Sequence, residues 1–308
     1  MRVKYNLNTK ITFQVTGPFD RGAAAMLHNA MYEYAHINAV DLHVSAEKGG
    51  LKPIVDAVRG LGAIGFYLGE PHKSDIIEFL DEVDPISEAF HCVNTVIHRD
   101  GKLYGIGMDG IGMAMAIEQA FGPVQGKRVL VIGAGAVGGL IPAELCKRGA
   151  ASVAIANRTP EKANYIAKTL QGHFDVPTSY GSLDDTFLRE QAAQADVLVQ
   201  CSSVGNYAHP ELKFESLDFI DALKDGCVVA DVNYPSTQLL ERAAARGLKT
   251  LSGESMMYYQ QLAVIKLRFG IELPLASMQN AREAVATAVA MRPYYDYDEV
   301  AAQLINSV

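Results

Sequence analysis

Residues 127–158 read KRVLVIGAGAVGGLIPAELCKRGAASVAIANR. An apolar, β-branched run, Val129 to Ile132, enters Gly133-Ala134-Gly135-Ala136-Val137-Gly138. A helical pattern follows, then a second apolar run from Val153 to Ala156. The order is strand, glycine turn, helix, strand. Each glycine has a mechanical task in such a unit. Gly133 permits the tight turn, Gly135 lets backbone approach a pyrophosphate, and Gly138 lets the helix pack against the strand. The positive end of the helix dipole then faces the phosphates. The context makes this GxGxxG a specific signal for a dinucleotide.

The end of the second strand selects among dinucleotides. A carboxylate there would accept bonds from a ribose 2′-hydroxyl and repel a 2′-phosphate. This chain has Asn157-Arg158-Thr159, with Lys162 one turn on. Arg158 can fork onto a phosphate and Lys162 adds a point charge. The expected cofactor is NADP rather than NAD.

Bulk properties narrow the rest. A chain of 308 residues makes two domains or one large one, and 49% hydrophobic content supports sizeable cores. A net charge of −8 with no basic run argues against nucleic acid or an anionic membrane as partner. Cys92, Cys146, Cys201 and Cys227 lack CxxC or zinc spacing and read as buried apolar residues in a reducing compartment. MRVKYNLNTK has no apolar signal-peptide core, and Val129 to Ala143 is too short and glycine-rich to span a bilayer. A cytoplasmic location is expected. The sequence does not fix the oligomeric state and is compatible with a homodimer.

Upstream, strand and helix alternate. Ile11–Val15, Val40–Val44 and Ala63–Leu68 read as strands; Ala23–Tyr34, Leu51–Val58 and Ser74–Leu80 read as helices. Cys92–His98 and Lys102–Ile106 flank Asp100-Gly101, a hairpin signal. Ile111–Phe121 reads as a linking helix. Downstream, Ala195–Gln200, Cys227–Val232 and Lys249–Leu251 are expected strands. Pro160–Leu170, Ser182–Ala192, Thr237–Ala245, Met256–Arg268 and Ala276–Ala290 are expected helices, and Asn206–Glu215 a polar loop. The tail holds Tyr294, Tyr295 and Tyr297 and reads as a docked terminal helix.

Several motifs beyond the glycine turn, in order along the chain, resemble the shikimate and quinate dehydrogenase family. Leu27-His28-Asn29 is similar to its early helix. GFYLGEPHK, Gly65 to Lys73, occupies the place of its G-x-N-V-T-x-P-x-K segment. Cys92 to Thr95 resembles its A-V-N-T strand. Asp100 to Gly110 resembles its D-G-x-L-x-G-x-N-T-D-x-x-G run. Asn157-Arg158-Thr159 is similar to its NADP clamp, Asp231 to Tyr234 to its D-x-x-Y, and Gly253 to Gln260 to its G-x-x-M-L-x-x-Q.

The resemblance implies an α/β chain with an N-terminal open α/β substrate domain and a Rossmann-type, doubly wound domain, with the cleft between them. The expected substrate domain is residues 1–110, completed by C-terminal helices within 255–308; the expected NADP domain is 111–254. It implies reversible hydride transfer between NADP(H) and a ring hydroxyl or ketone of shikimate, quinate or a related cyclic polyol. Lys73 would carry the proton, and Asp109 would bond the same hydroxyl and hold Lys73. Asn94 and Gln260 would bond ring hydroxyls, with Tyr234 lining the pocket. Gly133 to Gly138 would hold the pyrophosphate, Asn157 to Lys162 the 2′-phosphate, and Val232 and Gly253 would lie near the nicotinamide. No metal is implied.

Blander readings compete. Lys73 would be a solvated first-turn lysine, Asp109 a cap on a helix from Ile111, and Gln260 a surface residue. His28 and His72 read as structural or solvated. A weakly catalytic ligand-binding protein and another two-domain dehydrogenase, one acting on a reduced pterin for example, stay open. The motifs also depart from the pattern. Gly22-Ala23-Ala24 stands in place of S-x-S, Tyr67-Leu68-Gly69 in place of N-V-T, and Gly107-Met108 precedes Asp109 in place of N-T. Hydrogen bonds to a charged group are worth about 1.5–3 kcal/mol each. Two lost serines would weaken a carboxylate's hold by roughly 10²–10⁴-fold. Arg21 and Tyr67 are the candidates to replace them, or the substrate lacks that carboxylate.

Overall fold

The computed structural model describes residues 5–17, 23–135, 137–205, 211–234 and 236–291. The expectations placed on Arg21, on Ala136, on the first half of the polar loop and on the tyrosine-bearing tail fall outside the described residues.

The first sheet has six strands: β1 (Lys10–Thr16), β2 (Ala39–Ser45), β3 (Gly65–Leu68), β4 (Glu82–Val83), β5 (Thr95–Arg99) and β6 (Lys102–Ile106). Its order is β2-β1-β3-β5-β6-β4. β1 runs parallel to β2 and β3, whereas β5 runs antiparallel to β3 and β6. The β5–β6 turn is Asp100-Gly101, with φ of 52° and 76°. Both positive values fit a two-residue primed turn, whose twist matches the strands it joins. Helices α1 (Ala23–Tyr34), α2 (Leu51–Gly60) and α3 (Pro85–Ala89) belong to this half.

The second half contains α4 (Asp109–Phe121), β7 (Arg128–Ile132), α5 (Leu140–Lys147), β8 (Ser152–Ala156), α6 (Pro160–His173), β9 (Thr178–Gly181), α7 (Asp185–Ala192), β10 (Val197–Gln200), β11 (Val228–Asp231), α8 (Gln238–Ala245) and β12 (Lys249–Leu251). Its sheet is parallel throughout, in the order β12-β11-β10-β7-β8-β9. That is the doubly wound order, with the direction of winding reversing between β7 and β10. The β7 sequence is apolar at successive positions because both faces are covered. Val129 and Val131 join a core with residues of α4, α5 and α6. Leu130 and Ile132 join the opposite core with residues of α7 and α8. Strands buried on two faces lose the polar alternation of a half-exposed strand.

The chain then returns. α9 (Gly253–Phe269) and α10 (Ala276–Met291) pack on the first half. Tyr258, Leu262, Ile265 and Met278 share a core with Leu27, Met31 and Tyr32 of α1. α9 also lies close against α4, where a Cβ on Gly112 would sit 2.6 Å from Met256 O. Among the described residues no helix is long and apolar enough to cross a membrane.

Some expectations need correction. Ser74–Leu80 is a short 3-10 turn over Asp75–Phe79 rather than an α-helix. β5 starts at Thr95, so Asn94 precedes the strand instead of lying within it. The linking helix starts at Asp109, which is therefore its first residue rather than a cap before Ile111. β4, α3 and β9 have no counterpart in the sequence reading; two are very short, and β9 (TSYG) is a half-exposed edge strand.

One glycine joins the turn after β11 to the start of the returning helix α9. A Cβ on Gly253 would lie 1.9 Å from Val232 O, and Gly253 N donates to Asn233 O at 3.0 Å. Gly253→Ala should therefore push the β11 turn away from α9, destabilising the fold at the upper end of the ~1–3 kcal/mol range for overpacking. A urea midpoint equal to wild type would show that the contact is not tight.

Candidate active site

Five elements converge at the carboxyl end of β3. Tyr67 lies on β3, Lys73 in the turn that follows, Asn94 just before β5, Asp109 at the first position of α4, and Gln260 on α9. Lys73 Nζ donates to Asp109 Oδ2 at 2.8 Å, and the two side chains are only 13% and 2% exposed. Glu70, largely exposed, lies 3.9 Å from the same amine. Burial alone would depress the Lys73 ammonium. Asp109, with smaller contributions from Cys92, Tyr67 and Glu70, outweighs it and holds the amine above its ordinary range. Burial pushes the neighbouring Cys92 thiol up to about 12, so it stays neutral. Lys73 is thus a buried, paired ammonium and not a solvated first-turn lysine.

A directed chain of amides lies beside the pair. Met108 N donates to Asn94 Oδ1 at 2.8 Å, which fixes the orientation of that amide. Asn94 Nδ2 then donates to Gln260 Oε1 at 3.3 Å. Gln260 Nε2 donates in turn to the Tyr67 hydroxyl at 2.8 Å. Gln260 is buried, so the surface reading of it fails. His28 and His72 are also buried; His28 Nδ1 faces Asp41 Oδ2 at 2.7 Å and His72 Nε2 faces Ala46 O at 3.0 Å.

The glycine turn forms the second half of the site. Gly133 has φ of 106°, and a Cβ there would lie 2.7 Å from Ser202 N, at the end of β10. A Cβ on Gly138 would lie 2.5 Å from Gly133 O. Both are glycines because the protein itself fills the space. Gly135 differs: a Cβ there would meet only Cys201 O, at 3.9 Å, and the residue is exposed. This is an open cradle at the winding reversal, of the kind a dinucleotide pyrophosphate occupies. Asn157 braces it. Its Oδ1 accepts from Ala134 N at 3.1 Å and its Nδ2 donates to Thr159 O at 2.9 Å. Arg158, Thr159 and Lys162 stand exposed at the start of α6.

The β10 and β11 turns rest on buried supports; Asp231 stands in the D-x-x-Y motif, whereas Gln200 carries no motif signal. Gln200 Nε2 donates to Val204 O at 2.8 Å, behind the glycine turn. Asp231 accepts from Asn233 N at 2.9 Å and Thr237 Oγ1 at 2.8 Å, holding Val232 in place. Burial raises the Asp231 carboxyl to about 6, against those bonds. Tyr234 lies past the end of β11 and is 39% exposed.

The two halves meet at the start of α5. A Cβ on Gly110, next to Asp109, would lie 2.3 Å from Leu140 O. The Lys73–Asp109 pair therefore stands beside the helix that the glycine turn opens. The cradle predicts an unusual variant. Gly135→Val should melt within a few degrees of wild type yet bind NADP at least about tenfold more weakly. Unchanged NADP affinity by titration would place the phosphates elsewhere.

Comparison with known proteins agrees with this architecture. Residues 16–96 match the family model described as shikimate dehydrogenase substrate binding domain, and residues 115–237 that of shikimate/quinate 5-dehydrogenase. The shikimate dehydrogenase (NADP(+)) of Methanocaldococcus jannaschii is 31% identical over 282 residues, covering 90% of this chain and 97% of that protein. The crystal structure of shikimate 5-dehydrogenase from Listeria monocytogenes, in complex with shikimate and NAD, is 25% identical with a TM-score of 0.82, covering 90% and 97%. The ligand-free 5-ketofructose reductase of a Gluconobacter strain is 27% identical with a TM-score of 0.78, covering 90% and 99%. With 31% identity sustained over nine-tenths of its length, the chain belongs to the shikimate/quinate dehydrogenase family.

Proposed function

We propose that this chain is an NADP-dependent oxidoreductase that interconverts shikimate and 3-dehydroshikimate, with quinate or a related cyclic polyol as further substrates. The observation that carries this reading is the buried Lys73–Asp109 pair at 2.8 Å, next to the helix that follows the glycine turn. The curated relative from M. jannaschii bears the same activity in its name, and its cofactor is NADP(+).

When bound, NADP(H) supplies a hydride acceptor or donor. Gly133 to Gly138 would hold its pyrophosphate, with Arg158, Thr159 and Lys162 at the 2′-phosphate and Asn157 fixing the turn between them. Val232 and Gly253 would line the nicotinamide end. Lys73 handles the proton. Because its ammonium is held above the ordinary range, it rests charged and gives a proton to the oxygen of the ketone being reduced. In oxidation the amine first releases its own proton to solvent and then accepts the hydroxyl proton. Asp109 orients the amine and stabilises its charge, and bonds the same hydroxyl. Asn94 and Gln260 present oriented amides to the ring hydroxyls, with Tyr234 at the pocket edge. Arg21 and Tyr67 are the candidates to hold the acid group.

The test is NADPH absorbance with 3-dehydroshikimate, and NADP reduction with shikimate, quinate and neutral cyclitols, with NAD in parallel. Lys73→Ala should lower turnover by about 10²–10⁴-fold while NADP still binds. Full activity in that variant would remove the assignment. Asp109→Asn makes a separate point about pH. Without the carboxylate, burial is the largest remaining influence and Lys73 titrates lower. Ketone reduction, which needs the ammonium, should then fail at lower pH than in wild type; an unmoved alkaline limb would contradict the role of the pair.

A further inference from the structure

One aromatic side chain ties the two halves of the site together. Phe90 follows α3 and packs, with Ile86, against the core of the second sheet. Its seat is Gly139, immediately before α5. A Cβ on Gly139 would lie 2.2 Å from Phe90 Cδ1 and 2.4 Å from its Cγ. The ring therefore rests on bare backbone where the glycine turn becomes a helix. Tyr165 of α6 meets the ring edge-on at 6.5 Å and 87°, and its hydroxyl donates to Ala89 O.

From this seat the chain leads directly to the reactive pair. His91 has φ of 48°, a left-handed value uncommon without glycine, and reverses the backbone. Cys92 N then donates to Ser87 O at 3.0 Å, and Val93 N to Lys73 O at 2.8 Å. Ser87 Oγ accepts from Gly107 N at 2.8 Å, just ahead of Asp109. The backbone of both reactive residues is thus anchored within a few residues of Phe90.

We propose that Phe90, seated on Gly139, is a positioning residue that sets the span between the dinucleotide turn and the Lys73–Asp109 pair. This rests on the functional reading above. Removing the ring leaves each half-site built but lets their spacing drift. A displacement of about 1 Å at a reacting centre lowers turnover about 10²-fold.

The test combines steady-state kinetics with hydrogen exchange on the full chain. Phe90→Ala should lower kcat about 10–100-fold. The NADPH Kd and the KM for 3-dehydroshikimate should stay within about threefold of wild type. Phe90→Leu should recover most of kcat, and Gly139→Ala, which displaces the ring from the other side, should reproduce the loss. In the exchange experiment, NADP should slow the amides of Cys92 and Val93 in wild type but not in Phe90→Ala, while the glycine turn is protected in both. A raised KM with unchanged kcat, or equal protection of Cys92 and Val93 in both proteins, would overturn the proposal. A wild-type chain that turns over no substrate would instead sink the functional reading, and the exchange pattern would still decide the role of Phe90.

Discussion

A charged amine survives in a nearly dry site only with an anion against it. Lys73 and Asp109 meet that condition, and the fold is arranged around their contact. The turn after β3 brings the amine, and the first residue of α4 brings the acid. Removing either would leave the other buried and uncompensated, which is far worse than lacking both. The same contact gives the amine a stable charged state. Structure and chemistry here depend on one 2.8 Å distance.

The surrounding groups restrict what that pair can meet. The backbone N–H of Met108 sets Asn94, Asn94 sets Gln260, and Gln260 sets its bond to Tyr67. Amide orientation is thus inherited from the backbone rather than chosen by a ligand. Groups preorganised in this way need little reorganisation to meet a polar ligand. On the other side, the glycine turn separates two demands. Gly133 and Gly138 are small because protein atoms press on them, whereas Gly135 is small although almost nothing does. Packing thus accounts for Gly133 and Gly138 but not for Gly135.

Much of this was legible in the sequence. The strand–turn–helix–strand at residues 127–158 is strongly written because strands covered on both faces are apolar throughout. The Asp100-Gly101 hairpin is written in residues that tolerate positive φ. Lys73, Asp109 and Gln260 were readable as motif positions, but not their burial. α9 is wedged between α4 and the α1 core, so it buries glutamines that a surface helix would expose. Short elements such as β4 and α3 carry too few residues for any periodicity. Phe90 was invisible for a different reason: its meaning lies in Gly139, distant in sequence. The start of α4 was misplaced by two residues, because Asp109-Gly110 reads equally as a cap or as a first turn.

The position of the Lys73 amine when both ligands are present is the deciding feature of the site. A crystal structure with NADP and shikimate bound decides this. The amine should sit within about 2.6–3.2 Å of the hydroxyl on the carbon that faces the nicotinamide, still bonded to Asp109. An amine turned into bulk solvent, with another group holding that hydroxyl, would contradict it.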